Sequence, residues 1–252
     1  MNLNFSDEQQ MLRELIQKFC ESDYTFEKRE EIIKSGEGFN KDFWQQFSEL
    51  GWLSLPFKED SGGLGYGPVE LSILFEEFGK VLVVEPYLST VVLSGTILDN
   101  STFYRRIELV EGIISGDTHL SLGYIEPNQN FDHSAPQTTA SHQGDNIIVN
   151  GKKSLVLNGG RANHFIVVVT LDDETTLVLI DKDQTGVSLN QYPTVDGQTC
   201  AELEFENVSI TNEAIIAQGD EAKRLLNEAL NLATLCVSAE SIGCMTACYL
   251  QT

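Results

Sequence analysis

Basic side chains are scarce in this chain. Its 252 residues carry 16 Lys and Arg against 38 Asp and Glu, a formal net charge of −22. After position 106 only Lys152, Lys153, Arg161, Lys182, Lys223 and Arg224 remain. Nucleic-acid binding relies on clustered Lys and Arg that displace counterions, so the absence of a cluster excludes that partner. A solvated acidic surface accounts for the imbalance. Cysteine is limited to Cys20, Cys200, Cys236, Cys244 and Cys248. Their odd number and spacing match no zinc pattern, and Cys244 and Cys248, one helical turn apart, read as small core residues. That usage suits a reducing cytoplasm. The four histidines (His119, His133, His142, His164) are scattered on expected strand ends or loops, so no metal site is expected. The start, MNLNFSDEQQ, lacks the basic and apolar regions of a signal peptide. No internal repeat or low-complexity segment stands out.

What is present is ordinary for a soluble globular protein: 41% apolar and 21% charged residues. The length allows one large domain or two modest ones. Ser6 and Gln9 have capping-box spacing, and Met11, Leu12, Leu15, Ile16 and Phe19 follow at helical intervals. Residues 22–39 read as charged and irregular. A second helix is expected from Asn40 to Leu50, with Phe43, Trp44 and Phe47 on one face and Gly51 as its stop. The glycine-rich segment Gly62–Gly67 precedes a helix opened by Pro68. It has neither a Walker lysine nor G-x-G-x-x-G spacing, so it reads as a tight connection rather than a phosphate loop. Two further helices are expected over 87–98 and 101–114.

At Thr118 the apolar period changes from helical to alternating. Short strands and turns continue to about Ile210, the pattern of a sandwich or barrel. Asn150-Gly151, between NIIV and SLVL, is a two-residue hairpin signal. Asn158-Gly159-Gly160 turns the chain into FIVVVT, apolar and β-branched enough for a buried strand. Lys152, Lys153 and Arg161 are the local basic group of this region, read as surface charge with phosphate contact as the alternative. From about Asp220 the chain is helical again and apolar on nearly every side. A membrane span is one reading of it. Glu240 at mid-span and the lack of basic anchors favour a buried bundle helix, so no membrane partner is expected.

The order of these segments resembles the acyl-CoA dehydrogenase family along the whole chain. The resemblance rests on SDEQQMLRELIQKF, ELGWLSLPFKEDSGGLGYGPVELSILFEEFG, Ile125-Glu126-Pro127, NIIVNGKKSLVLNGGRANHFIVV and the closing FENVSI. EPYLSTVVLSGTIL and YPTVDGQTCAELEFENVSI look most like the small subunit of pimeloyl-CoA dehydrogenase-type enzymes. The implied fold is a multidomain α+β protein. An N-terminal all-α helical domain would span 1–117 and a middle β-barrel or sandwich domain 118–217. Residues 218–252 would be the first helix of a C-terminal helical bundle whose remainder a partner supplies or the chain has lost. The implied activity is FAD-dependent α,β-oxidation of an acyl-CoA thioester, with electrons passed to an electron-transfer flavoprotein. An oxygen-using flavin oxidase or monooxygenase of the same fold is a further reading. Such proteins are homo- or hetero-tetramers, with FAD between the β domain and the bundle, partly across a subunit interface.

The resemblance also assigns positions. Leu122, Tyr124, Ile125, Phe131, Leu155 and Leu157 fall at the cofactor, and Phe131, Asn231 and Thr234 at the substrate. Several depart from the family pattern. Ile125 stands where a flavin-bonding threonine is usual, and Asn130-Phe131 replaces glycine-serine. Leu155 replaces the tryptophan that packs on the flavin, and Leu157 the threonine that reaches its N5. Losing three hydroxyl hydrogen bonds weakens FAD binding by roughly two to four kcal/mol. Asn231 and Thr234 stand in for the aspartate and arginine that contact CoA. The catalytic base comes from one of two places in the family: the C-terminal bundle, which this chain lacks, or a helix position that here is Ala233. Glu240 shares that face but lies about 10 Å further along at the helical rise, and reads as a polar contact in a helix interface. The alternative to an active dehydrogenase is therefore a catalytically silent structural subunit of a heteromeric one.

Overall fold

The computed structural model describes residues 4–127, 129 and 136–251. The N-terminal part is built from α1 (Asp7–Ser22), α2 (Phe26–Ser35), α3 (Lys41–Glu49) and α4 (Pro68–Val81). A π-helix (Leu88–Gly95), α5 (Thr96–Asn100) and α6 (Arg106–Ile114) complete it. Ser6 caps α1 as its spacing predicts: its Oγ accepts the Gln9 N–H, and Gln9 Oε1 accepts the Ser6 N–H. Asn40 caps α3 by accepting from Asp42 and Phe43. Gly51 ends α3 at φ +74°, which glycine adopts without a Cβ penalty. The helices close on an aromatic cluster in which Phe19 meets Phe43, Phe47 and Trp52 edge-on at 5.3–5.6 Å.

Two expectations change here. Residues 22–39 are not irregular throughout: Thr25 caps the ten-residue α2, and Gly36 at φ +71° stops it. Charge hid its short apolar face, of which Ile32 is the buried member. The helix expected over 87–98 instead begins as a π-helix, whose buried residues pack between the sheet and the last helix. The glycine-rich segment is a tight connection, as expected. The N–H groups of Gly62, Gly63, Leu64, Gly65 and Tyr66 all donate to carbonyls between Ser54 and Glu59. None of those five is left to cradle a phosphate.

The β region is one eight-stranded sheet. Its strands are β1 (Leu120–Gly123), β2 (Thr139–Gln143), β3 (Asn146–Leu157), β4 (His164–Leu171), β5 (Glu174–Asp181), β6 (Val187–Pro193), β7 (Thr199–Thr211) and β8 (Ile215–Gln218). Their order is β6-β7-β3-β2-β4-β5-β8, with β1 paired parallel to β4. Asn150-Gly151 does not turn the chain; β3 runs straight through it. Both halves of β3 pair with β7, Ile147–Val149 with Val208–Ile210 and Gly151–Lys153 with Leu203–Phe205, around a bulge. Gly151, at φ +147°, admits Thr138, whose Cα would lie 2.7 Å from an added Cβ. The hairpin turn lies earlier, at Gly144-Asp145 between β2 and β3. A long partner strand thus overrode a local turn preference.

β4 explains why there are two cores. Phe165, Val167 and Val169 face a core formed among the strands, while Ile166 and Val168 face the helices. α7 (Gly219–Leu250) joins the helical side. It crosses α4 at two glycines. A Cβ on Gly79 would lie 2.1 Å from the Glu240 carbonyl, and one on Gly243 would lie 1.9 Å from that of Glu76. Such an approach requires both positions to be bare. α7 also exposes Leu235, Val237, Ile242, Met245, Tyr249 and Leu250. By length and composition α7 alone, among the described residues, could cross a membrane.

Candidate functional site

The end of β1 and the end of β3 lie side by side. The Ser154 N–H donates to the Ile125 carbonyl at 2.9 Å, and Ser121 Oγ donates to the Leu157 carbonyl at 2.8 Å. The backbones of Tyr124, Ile125, Leu155 and Leu157, four of the six residues expected at the cofactor, thereby lie along one pair of neighbouring segments, the wall. Tyr124 and Leu157 are half-buried against the helical core, and burial raises the Tyr124 hydroxyl pKa. Leu155 is the most exposed at 42%, held at φ +52° in a bulge between Lys153 and Val156. A branched aliphatic residue rarely adopts that backbone, which costs roughly 1–2 kcal/mol. Leu122 is not on the wall: its side chain is buried in the helical core. Tyr124 follows it on the same side of the extended chain but is only half-buried against that core. Phe131 and its neighbour Asn130 lie outside the described residues.

Behind the wall is a polar cluster that the sequence reading placed wrongly. Lys153 is not surface charge; its side chain is fully buried, with Nζ 2.5 Å from Glu126 Oε1. The same carboxylate accepts from Thr138 Oγ1 at 2.6 Å, Thr138 N–H at 2.9 Å and Gln137 N–H at 2.6 Å. Burial alone would raise the Glu126 pKa. Hydrogen bonds from Lys153 and Thr138, the Lys153 charge and the Gln137 N–H outweigh it and hold the carboxyl below its ordinary range. Glu126 and Lys153 are 27 positions apart, and no local pattern links them. The signal available was Gly123, whose missing Cβ leaves room for the Lys153 stem, 3.1 Å from where that atom would be. The other two basic residues are also committed, Lys152 to Glu204 at 2.6 Å and Arg161 to Glu37. The three therefore form no phosphate site.

Asn158, also missed, is buried at φ +54° where β3 ends. Its Nδ2 donates to Ser89 Oγ of the π-helix at 3.4 Å, and its Oδ1 accepts from Thr199 Oγ1 of β7 at 3.3 Å. It thereby fixes the end of the wall against two elements. His119 does precede β1 on the strand end expected for it, but it is half-buried between the rings of Phe39 and Trp44. Burial pulls its pKa down to about 4, so it is neutral at pH 7.

The positions expected at the substrate stay on the outside of α7. Asn231 and Thr234 are exposed, and Thr234 Oγ1 donates to the Leu230 carbonyl one turn back. Among the described residues no hydrogen bond or ion pair joins either to the wall. Ala233, at the base position, is buried on the inner face. Glu240 lies at the crossing with α4, in the helix interface. Burial first, and Asp196 second, raise its carboxyl pKa.

FAD carries an isoalloxazine edge that accepts hydrogen bonds and a doubly charged pyrophosphate. The wall offers an apolar surface to the ring. Ile125, Leu155 and Leu157 bring no side-chain donor to it, and the nearby cations Lys152, Lys153 and Arg161 are paired with carboxylates. The described residues do not fit a complete flavin site held by this chain's own side chains.

Comparison with known proteins adds two family matches. Residues 6–117 match the family model "Acyl-CoA dehydrogenase, N-terminal domain", and residues 121–208 match "Acyl-CoA dehydrogenase, middle domain". The short-chain-specific acyl-CoA dehydrogenase of Clostridium acetobutylicum is 23% identical over 96% of this chain and 66% of its own length. The CarC subunit of the caffeyl-CoA reductase–Etf complex of Acetobacterium woodii is 24% identical over 95% of this chain and 66% of its own. Among solved structures, the ChsE4–ChsE5 complex of Mycobacterium tuberculosis superimposes with a TM-score of 0.88 at 21% identity. That match covers 98% of this chain and 66% of the other. The chain thus spans about two thirds of the length of these relatives.

Proposed function

The chain belongs to the acyl-CoA dehydrogenase family, and we propose that it acts there as a subunit without a working flavin site of its own. It completes a heteromeric acyl-CoA dehydrogenase whose other subunit carries the flavin and the catalytic base. The observation that carries this reading is the wall: at Ile125, Leu155 and Leu157 it keeps an apolar surface without a side-chain donor, leaving the Tyr124 hydroxyl as the polar side-chain group among its four residues. Ala233, at one of the two positions from which the family's base comes, brings no carboxylate, and proton abstraction next to a thioester needs one within hydrogen-bond reach. The exposed apolar side chains of α7 support a protein partner, since apolar surface favours burial.

For the assembly, the reaction proposed is α,β-oxidation of an acyl-CoA thioester with transfer of electrons to an electron-transfer flavoprotein. Its support is family membership together with relatives that are a short-chain acyl-CoA dehydrogenase and a subunit of an Etf complex. The ChsE4–ChsE5 neighbour, a complex of two named components, supports a heteromer as the form of assembly. All five cysteines are free, which supports a reducing, cytoplasmic setting.

The test is flavin stoichiometry. The chain is co-expressed with its genomic neighbour, the complex is purified, and FAD is counted against each subunit. One FAD per two chains is the expected result. One FAD per chain would return the intact dehydrogenase reading. A colourless complex that no acyl-CoA alters would count against the enzyme assignment of the assembly.

A further inference from the structure

Away from the wall, one buried acid serves none of the roles above. Glu85 lies in the turn after α4, 4% exposed. Its Oε1 accepts the N–H of Asn40, the N-cap of α3, at 3.3 Å. Tyr24, in the link between α1 and α2, is equally buried. Its hydroxyl oxygen accepts the Val84 N–H at 3.0 Å, and its ring end hydrogen-bonds the Glu85 carboxyl. Glu85 Oε2 is buried with no partner.

Three segments therefore meet on one carboxyl group: the α1–α2 link, the start of α3 and the turn after α4. No cation neutralises it. From the α1–α2 link it is faced by Tyr24, from α3 by Asn40 and from its own turn by Val84. Arg29 of α2 is committed elsewhere: its guanidinium bonds the carbonyls of Leu82 and Asp196 at 2.7 Å each. Lys28 of α2 lies over the Phe43 ring. Among the described residues Glu85 takes part in no ion pair. A carboxylate here would be buried, uncompensated and short of one hydrogen bond, whereas a carboxylic acid is tolerable.

We propose that Glu85 is a proton-operated latch: protonated, it holds the α1–α2 link, the start of α3 and the turn after α4 together; ionised, it loosens them. The latch bears on a cleft of about 640 Å³ between α2 and α3, which Asn40 and Phe43 help to line. Burial raises the Glu85 pKa to about 7, against hydrogen bonds from Tyr24, Asn40 and Val84 that lower it. The sign follows from linkage. The closed junction binds the proton more tightly than an opened one, in which the carboxyl reverts to the ordinary glutamate range. Stability is full below that range, falls as pH rises towards 7, and is level above it.

Hydrogen exchange at the Asn40 and Val84 amides reads the opening directly, once corrected for the pH dependence of the chemical step. Protection of both should fall about tenfold per pH unit between roughly pH 5 and 7, then level off. Glu85→Gln, a neutral isostere, should make both profiles flat. Tyr24→Phe removes a hydrogen bond that favours the ionised form, so its fall should continue to higher pH. Flat protection in the wild type, an unchanged slope in Glu85→Gln, or an unmoved end point in Tyr24→Phe would overturn the latch. Should neither variant fold, infrared spectroscopy of the wild type decides. A protonated-carboxyl band present at pH 6 and lost by pH 8 supports the latch, and absence of such a band refutes it.

Discussion

The two sides of the paired ends of β1 and β3 make a sharp contrast. Behind them Glu126, Lys153, Thr138 and Gln137 form a buried polar cluster in which one carboxylate accepts four hydrogen bonds. In front of them Ile125, Leu155 and Leu157 give the wall an apolar surface and bring no side-chain donor to it. A buried charge is costly unless paired, so the rear cluster cannot lose a member without a large penalty. An exposed hydroxyl replaced by an aliphatic group costs the fold little. The two sides therefore answer to different constraints. The rear holds the architecture, and the front can lose its chemistry while the fold persists.

Breaking the rear should have the largest effect. Lys153→Met leaves Glu126 buried and unpaired, and should lower unfolding free energy in urea by about 3–5 kcal/mol. A loss below ~1 kcal/mol would mean that the rear cluster is not what holds the wall in place.

Restoring the front should come next. A variant carrying Ile125→Thr, Leu155→Trp and Leu157→Thr returns two hydroxyls and a stacking ring to the wall. Flavin fluorescence titration should show FAD affinity raised by about one to three powers of ten, from ~0.5–1.5 kcal/mol for each contact. Thermal stability should change little by comparison. No gain in flavin affinity would show that these three substitutions are not what separates front from rear.

The smallest effect tests the bulge alone. Leu155→Gly removes a half-exposed side chain from a left-handed backbone position and should raise unfolding free energy by up to about 1 kcal/mol in calorimetry. A clear loss of stability would show that Leu155 contributes packing rather than strain.

The particular residues show where sequence reasoning reached and where it stopped. Helix starts were legible because caps act over three positions: Ser6 with Gln9, and Asn40 with Phe43. The tight connection at Gly62–Gly67 was legible for the same reason, since its amides bond carbonyls only a few residues back. β4 was legible from its unbroken apolar run, which two cores require. Asn150-Gly151 was misread because a hairpin signal weighs local turn energy alone, while pairing with β7 along both halves of β3 weighs more. Lys153 was misread because its partner is remote in sequence and its space depends on Gly123 of another strand.

What the sequence determined by itself is what local backbone preference and apolar period control: helical ends, an alternating middle, an apolar last helix, and the identity of each side chain on the wall. Tertiary structure decided which of those side chains meet. Only packing brought Tyr124 and Ile125 beside Leu155 and Leu157, and buried Leu122 fully in the helical core that Tyr124 and Leu157 border. Only packing buried Lys153 against Glu126, and left Glu85 with an oxygen that nothing answers. The physical reason is range. Caps and turns act within a few residues, but burial and ion pairing depend on neighbours that the chain brings back from far along its length.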